Sequence, residues 1–234
     1  SLFLAAATSL PELFVDISAV KNKMPDLAVG DLMGSSIFNL FILGIADLSH
    51  KGSTVIFSKA SAHHAMAALL SMGMTALAGA AILIEHQTLL PVIGNFGLIS
   101  IFIPIVYLFG LRLVYFNQRM ANEVPEIKRL KIERKPLLKA LSGYLLSAGA
   151  ILFAAPYLSE AAGVIASQTG LGQGFIGTTL VALTTSLPEL VSTIVSVRMG
   201  AYDLALGNIF GSNAFNILLL IPLDFINEGS IFAV

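Results

Sequence analysis

The hexapeptide TSLPEL stands at residues 8–13 and again at residues 185–190. Each copy sets two hydroxyls, a proline and an acid inside an apolar run, AAATSLPELFV in the first case and ALTTSLPELVS in the second. A carboxylate at the centre of a bilayer costs about 2.5–3.5 kcal/mol on insertion scales unless it is paired or used. No Lys or Arg lies within either apolar stretch to pair with it. Sliding the chain on itself by 177 residues aligns 1–48 with 178–225 without a gap, with 19 identities in 48 positions. The matches include Thr8/Thr185, Ser9/Ser186, Pro11/Pro188, Glu12/Glu189, Ser35/Ser212 and Asn39/Asn216. Hydrophobic composition does not explain matches that gather on polar residues, so the chain carries an internal duplication.

The surrounding composition says where the duplication sits. Of 234 residues, 56% are hydrophobic and 12% charged, against about 25% charged in soluble domains. The chain reads as an all-α, polytopic membrane protein. It has no Cys for disulfides or thiolate metal sites, and no Trp, so an interfacial aromatic belt falls to Tyr and Phe. No stretch has the pattern of a cleavable signal peptide. Seven apolar stretches are candidate spans: 1–20, 27–46, 60–84, 96–116, 137–158, 174–197 and 204–223. All are expected to be helical, because the alternation of a membrane barrel is missing. The small-residue segment 159–172 is expected to be a half-helix or surface helix leading into the next span.

One polar stretch, residues 117–136, carries six of the thirteen Lys and Arg residues. It divides the chain into a first half (1–116, with repeat 1–48) and a second half (137–234, with repeat 178–225). Basic loops favour the cytoplasmic side, which places this linker there. Alternating the spans outward then puts Lys51, Lys59, Arg112, Lys139 and Arg198 on the same side, leaving Lys21 and Lys23 as exceptions. Five crossings precede the second copy, an odd number, so its orientation is inverted. Inverted repeats are typical of secondary transporters, with substrate bound near the midplane between the copies.

The repeated polar residues fall into stripes. Thr8 and Ser9 precede Glu12 by four and three residues, and Ser35 precedes Asn39 by four, which are same-face spacings on a helix. The second copy repeats them with Thr185, Ser186, Glu189, Ser212 and Asn216. Pro11 and Pro188 cannot donate to the carbonyls of Ala7 and Thr184, and the kink loosens those of Thr8 and Thr185. The set is oxygen-only, suited to a hard cation such as Ca²⁺, which takes about 6–8 oxygens. Without His or Cys, zinc and copper fit poorly.

ATSLPEL with GDLMGSSIFNLF, and TTSLPEL with GNIFGSNAFNIL, resemble the paired α-repeats of the cation/calcium exchanger family, which includes sodium/calcium exchangers. The resemblance implies ten helices, alternating access, and Na⁺ or H⁺ exchanged against Ca²⁺ within a lipid bilayer, in a plasma (inner) membrane. Carried over by position, Glu12 and Glu189 are the shared ion ligands. Thr8 and Thr185 offer carbonyls, Ser9, Ser186, Ser35 and Ser212 hydroxyls, and Asn39 and Asn216 complete the site. Many sodium-coupled members carry an Asp in one copy where this chain has Asn39 and Asn216. Two core charges instead of three speak against three-Na⁺ coupling and leave room for H⁺. The resemblance also implies further helices on both sides of the 234 residues, so the chain reads as about seven of ten.

Asp31 faces Asn208 in the alignment and lies on the stripe of Ser35 and Asn39, about 12 Å along the axis from Asn39. It is an accessory candidate, a third charge near one mouth of the path. Its plainer reading is a helix-start acid near the interface, and Asp16 reads as an interfacial acid too. Adjacent His63 and His64 do not share a helix face and make no chelate. Glu85 and His86 fit an external turn, and the glycines at 30, 34, 207 and 211 allow close helix approach. The competing classes are an intramembrane enzyme using Glu12 and Glu189 as acid and base, and a structural subunit. The duplicated site argues against the enzyme, since acid and base roles need different environments. Neither a covalent cofactor nor nucleic acid is indicated.

Overall fold

The computed structural model describes residues 2–49, 62–87, 92–93, 96–120 and 134–233. The first repeat consists of α1 (Leu2–Thr8), α2 (Leu10–Lys21) and α3 (Pro25–Ser49). Next come α4 (Ala62–Gln87), the paired two-residue strands β1 (Val92–Ile93) and β2 (Phe96–Gly97), and α5 (Leu98–Met120). The long α6 (Arg134–Thr169) leads into the second repeat. That repeat runs through α7 (Gln173–Ile176), a π-helical turn (Gly177–Val181), α8 (Ala182–Thr185), α9 (Leu187–Arg198) and α10 (Tyr202–Ile226).

The architecture is an all-α membrane bundle. Among the described residues five helical stretches are long and apolar enough to cross a bilayer: Pro25–Leu48, His64–Glu85, Ile99–Asn117, Leu138–Thr169 and Tyr202–Ile226. A sixth is the bent pair Gln173–Thr185 and Leu187–Arg198, which turns by 44° at Ser186. The span expected over 1–20 is split at Ser9 into α1 and α2, neither long enough by itself. The expected half-helix over 159–172 is corrected: residues up to Thr169 continue α6 without interruption, through Pro156. Ala, Ser and Gly there lower apolarity but do not break a helix, and the stop comes at Gly170, with φ of +72°. The central part of the polar linker, 121–133, and Lys51 and Lys59 lie outside the described residues.

Both repeats fold alike in detail. Each first helix breaks at its TSLPEL serine, with Ser9 at φ −86°, ψ 14° and Ser186 at φ −79°, ψ 4°. The proline that follows sits in the first turn of the next helix, where its missing N–H costs nothing. That helix ends in the same Schellman closure in both copies. Lys23 N–H reaches the Val20 carbonyl and Met24 N–H the Ala19 carbonyl, both at 2.9 Å. Gly200 to Val197 (3.0 Å) and Ala201 to Ser196 (2.9 Å) match them. The motif needs a left-handed residue at its turn; the second copy uses Gly200 (φ +72°), and the first forces Lys23 to φ +60°.

Each broken helix packs on the continuous helix of the other copy. α1 and α2 contact α10, while the π turn, α8 and α9 contact α3; α3 and α10 also pack together. The seam between α3 and the π turn is backbone against backbone. A Cβ on Gly30 would stand 2.5 Å from the Gly174 carbonyl oxygen, and one on Gly34 would overlap the Thr178 carbonyl.

Two polar anchors hold the ends. His64, buried at the start of α4, meets Asp203 at 2.7 Å. Glu85, expected in an external turn, is instead buried in the last turn of α4. Fully buried Asp224 accepts a short 2.5 Å bond from the Ser100 hydroxyl and a 2.7 Å bond from the Ile231 backbone N–H. It thereby ties α5 and the segment after α10 into the core, where Ile231 and Phe232 are fully buried. Hydrogen bonds to a charged group contribute about 1.5–3 kcal/mol. Asp224→Ala is therefore expected to lower the unfolding temperature in detergent by the equivalent of at least one such bond, and an unchanged midpoint would contradict this anchoring role.

Candidate cation site

The breaks at Ser9 and Ser186 bring Glu12 and Glu189 into the first turns of α2 and α9. A helix N-terminus favours negative charge there. Both acids are fully buried. Ser9 and Ser186 stand at the N-cap positions, yet neither caps its own helix with its side chain. Ser9 instead donates across the repeat boundary to Glu189 Oε1 at 3.2 Å, and Ser212 donates to the same oxygen at 3.3 Å.

The remaining contacts come in symmetry-related pairs. Thr185 Oγ1 donates to Asp31 Oδ1 at 2.9 Å, and its counterpart Thr8 donates to Asn208 Oδ1 at 3.4 Å. Thr185 meets the Ser35 hydroxyl at 3.4 Å, and Thr8 meets Ser212 at 3.5 Å. Where Asn39 and Asn216 were expected to act alike, they differ. Asn39 Nδ2 donates to Asn213 Oδ1 at 2.8 Å, whereas both polar atoms of the fully buried Asn216 lack a partner. The structure thus joins Ser9 and Ser212 to Glu189, Thr8 to Ser212 and Asn208, and Thr185 and Ser35 to Asp31.

Buried polar groups in native proteins are nearly all hydrogen-bonded. Among the described residues most exceptions lie in the two repeats: both oxygens of Glu12 and of Asp16, Glu189 Oε2, Asp31 Oδ2, Asn39 Oδ1, Ser186 Oγ, Thr193 Oγ1 and both polar atoms of Asn216, with Glu85 Oε1 outside them. Among the described residues no three His, Cys, Asp or Glu side chains converge as a metal cage. A cation held here would draw on carboxylates in pairs, supplemented by hydroxyl, amide and carbonyl oxygens, the donor set of a hard ion.

Asp31 and Asp16, read as interfacial acids, are both fully buried within the bundle. The inter-repeat packing that carries Thr185 onto Asp31 also closes the helix start over it. The accessory candidates Ala7 and Thr184 directly precede Thr8 and Thr185. Ala7 borders a cavity of about 440 Å³ between α6 and the two broken helices, whose walls include Pro11, Tyr144 and Pro188 but no acid. The Thr184 side chain is exposed and bonds to the Leu180 carbonyl at 2.8 Å, and the Thr184 carbonyl accepts a cap N–H.

Sequence reasoning passed over Asn213 and Ser192. Asn213 donates to the Ser36 carbonyl at 3.2 Å while accepting from Asn39, bridging α10 to α3. Ser192 accepts from Asn208 Nδ2 at 2.9 Å. The signal for Asn213 was its place beside Ser212, facing Ser36 in the alignment; Ser192, which faces Val15, offered none.

Comparison with known proteins bears on what these oxygens serve. The family model described as sodium/calcium exchanger protein matches residues 1–111 and 139–232. The chain is 31% identical to the inner membrane protein YrbG of Escherichia coli over 222 residues, 92% of this chain and 65% of that protein. It is 46% identical over 80 residues to the sodium/calcium exchanger MaX1 of Methanosarcina acetivorans, 34% of this chain and 23% of that one. A bovine sodium/potassium/calcium exchanger 1 is 28% identical over 121 residues, 50% of this chain and 9% of its own length. The chain spans less than two thirds of the length of these relatives. No solved structure gives a significant match.

Proposed function

Because the chain belongs to the sodium/calcium exchanger protein family, we propose that it forms the ion-binding part of a secondary antiporter exchanging Ca²⁺ against Na⁺. Glu12 and Glu189 are the shared ligands near the midplane, and the polar linker 117–136 is cytoplasmic, in a plasma (inner) membrane. The observation that supports this reading is the unpartnered oxygen set on two fully buried acids, one from each repeat. Uncompensated charge at such depth is expensive, and one Ca²⁺ neutralises two carboxylates. Monovalent ions compete for the same charge. Ser9 and Ser212 hold Glu189 Oε1 in place, leaving Oε2 and both Glu12 oxygens to meet an ion. Ser35, Ser186, Asn39, Asn216 and the carbonyls around Thr8 and Thr185 supply further oxygens. The backbone breaks at Ser9 and Ser186 give each acid-bearing helix a pivot, so that rocking between two access states follows only when the charge is filled.

A second reading, H⁺/Ca²⁺ antiport, is favoured by one observation: Asn39 and Asn216 are neutral, so neither adds a charge to the Glu12 and Glu189 pair. Proteoliposomes separate the two. With the protein reconstituted and Ca²⁺ outside, an outward Na⁺ gradient is expected to drive ⁴⁵Ca²⁺ uptake at constant pH. Uptake that ignores Na⁺ and follows an imposed pH gradient would replace the first reading by the second.

A further inference from the structure

Asp16 on α2 and Asp31 on α3 are both fully buried, and these helices pack directly. Their carboxylates face each other at close range. Apart from each other, neither oxygen of Asp16 nor Asp31 Oδ2 has a hydrogen-bond partner, and a bond between the two carboxyls needs a proton on one of them. With both ionised they only accept and cannot satisfy one another. Among the described residues no basic side chain answers them: the nearest in sequence are Lys21 and Lys23, both exposed, and Lys23 pairs with Glu228 at 3.8 Å. Asp31 Oδ1 alone is occupied, by Thr185 at 2.9 Å and Ser35 at 3.4 Å, which hold the carboxylate so that Oδ2 stays open.

The second repeat serves as an internal control. At the related positions it has Thr193 for Asp16 and Asn208 for Asp31. Asn208 is satisfied by neutral neighbours, donating to Ser192 at 2.9 Å and accepting from Thr8 at 3.4 Å. The second copy therefore satisfies Asn208 and leaves only the neutral Thr193 hydroxyl without a partner, whereas the first leaves three carboxylate oxygens with no donor from outside the pair.

We infer that Asp16 and Asp31 form a second cation subsite, present in the first repeat only, that takes one monovalent cation. The glutamate pair also has three open carboxylate oxygens, but Ser186, Asn39 and Asn216 add unpartnered oxygens to it; without such additions the aspartate pair falls well short of the about 6–8 that Ca²⁺ requires, and a single positive charge bridging two carboxylates relieves their mutual repulsion. Through Asp31 Oδ1 the subsite shares Thr185 and Ser35 with the central pair, which links its filling to the geometry there. It supplies a third and a fourth carboxylate beside the neutral Asn39 and Asn216. The inference rests on the antiporter reading for its purpose but is measured separately from it.

The test uses a double variant that this fold already accommodates: Asp16→Thr with Asp31→Asn, the side chains the second repeat carries. Equilibrium binding of ²²Na⁺ and of ⁴⁵Ca²⁺ to the purified protein in detergent gives the two stoichiometries. The variant is expected to lose about one Na⁺ per protein, or to weaken Na⁺ binding at least about tenfold, while its Ca²⁺ stoichiometry stays that of the parent. Unchanged Na⁺ binding overturns the subsite, as does loss of a Ca²⁺ instead of a Na⁺. Should the double variant not fold, Asp16→Asn alone carries the same expectations. Failure of the antiporter reading shows elsewhere, as Ca²⁺ binding that survives without the Glu12 and Glu189 charges.

Discussion

Glu12→Gln and Glu189→Gln are each expected to weaken Ca²⁺ binding by about 100-fold, equivalent to about 2.8 kcal/mol, and to abolish transport. Gln keeps the shape and one acceptor oxygen but removes the charge, so the comparison isolates electrostatics from packing. The same substitutions carry a second, opposite signature. An uncompensated buried carboxylate opposes folding, so each variant should be more stable than the parent in Ca²⁺-free buffer. The parent regains stability when Ca²⁺ is added, about 2.7 kcal/mol at a hundred times Kd, and the variants do not. The two acids should also differ. Glu189 Oε1 accepts two hydroxyls, at 3.2 and 3.3 Å, whereas Glu12 has no partner at all. Glu12→Gln should therefore raise the Ca²⁺-free unfolding temperature more than Glu189→Gln. Ca²⁺ titrations followed by thermal unfolding read every arm of this prediction. A double Glu12→Gln, Glu189→Gln protein that still binds Ca²⁺ would falsify the shared site.

The features legible beforehand were those written twice. An offset of 177 residues aligns the two serine breaks, the two first-turn prolines and the two buried acids, and the symmetric threonine contacts follow from that alignment. Apolar run lengths located the spans, because only helices of that length satisfy their backbone in lipid. Depth at the start of a helix was not legible. Asp31 looks interfacial when counted along α3, and is buried only because Thr185 arrives from 154 residues away in sequence. Asp16 was obscured for the same reason, since its cover comes from a neighbouring helix. The continuation of α6 was missed because composition lowered the apolarity of 159–169 without supplying a helix stop before Gly170. The π turn leaves no pattern of its own; its one trace is Gly177, where α3 presses against the backbone.

That seam yields the second large effect. A Cβ on Gly34 would overlap the Thr178 carbonyl, and one on Gly177 would overlap the Leu27 carbonyl and stand 3.0 Å from the Asp31 backbone N. The obstructing atoms are backbone, so no rotamer change relieves them. Gly34→Ala and Gly177→Ala must push α3 away from the π turn. Overpacking of this kind costs about 1–3 kcal/mol or more, and the displacement falls where Thr185 meets Asp31 and Ser35. Ion binding should therefore suffer beyond what the loss of stability accounts for. Other helical glycines supply the control. At Gly44, Gly73 and Gly79 a Cβ meets nothing within 4 Å. Replacing these by Ala should be neutral or stabilise the helix by up to about 1 kcal/mol. Gly211, where the new atom would stand 3.0 Å from the Ala5 methyl carbon, should fall between the two groups, because one side chain has only to shift slightly. Unfolding temperature and Ca²⁺ affinity across the series separate the outcomes. Equal effects at Gly34 and Gly44 would mean that the glycines serve helix propensity alone, whereas a loss confined to Gly34 and Gly177 would tie the close approach of α3 and the π turn to the geometry of the acids beside it.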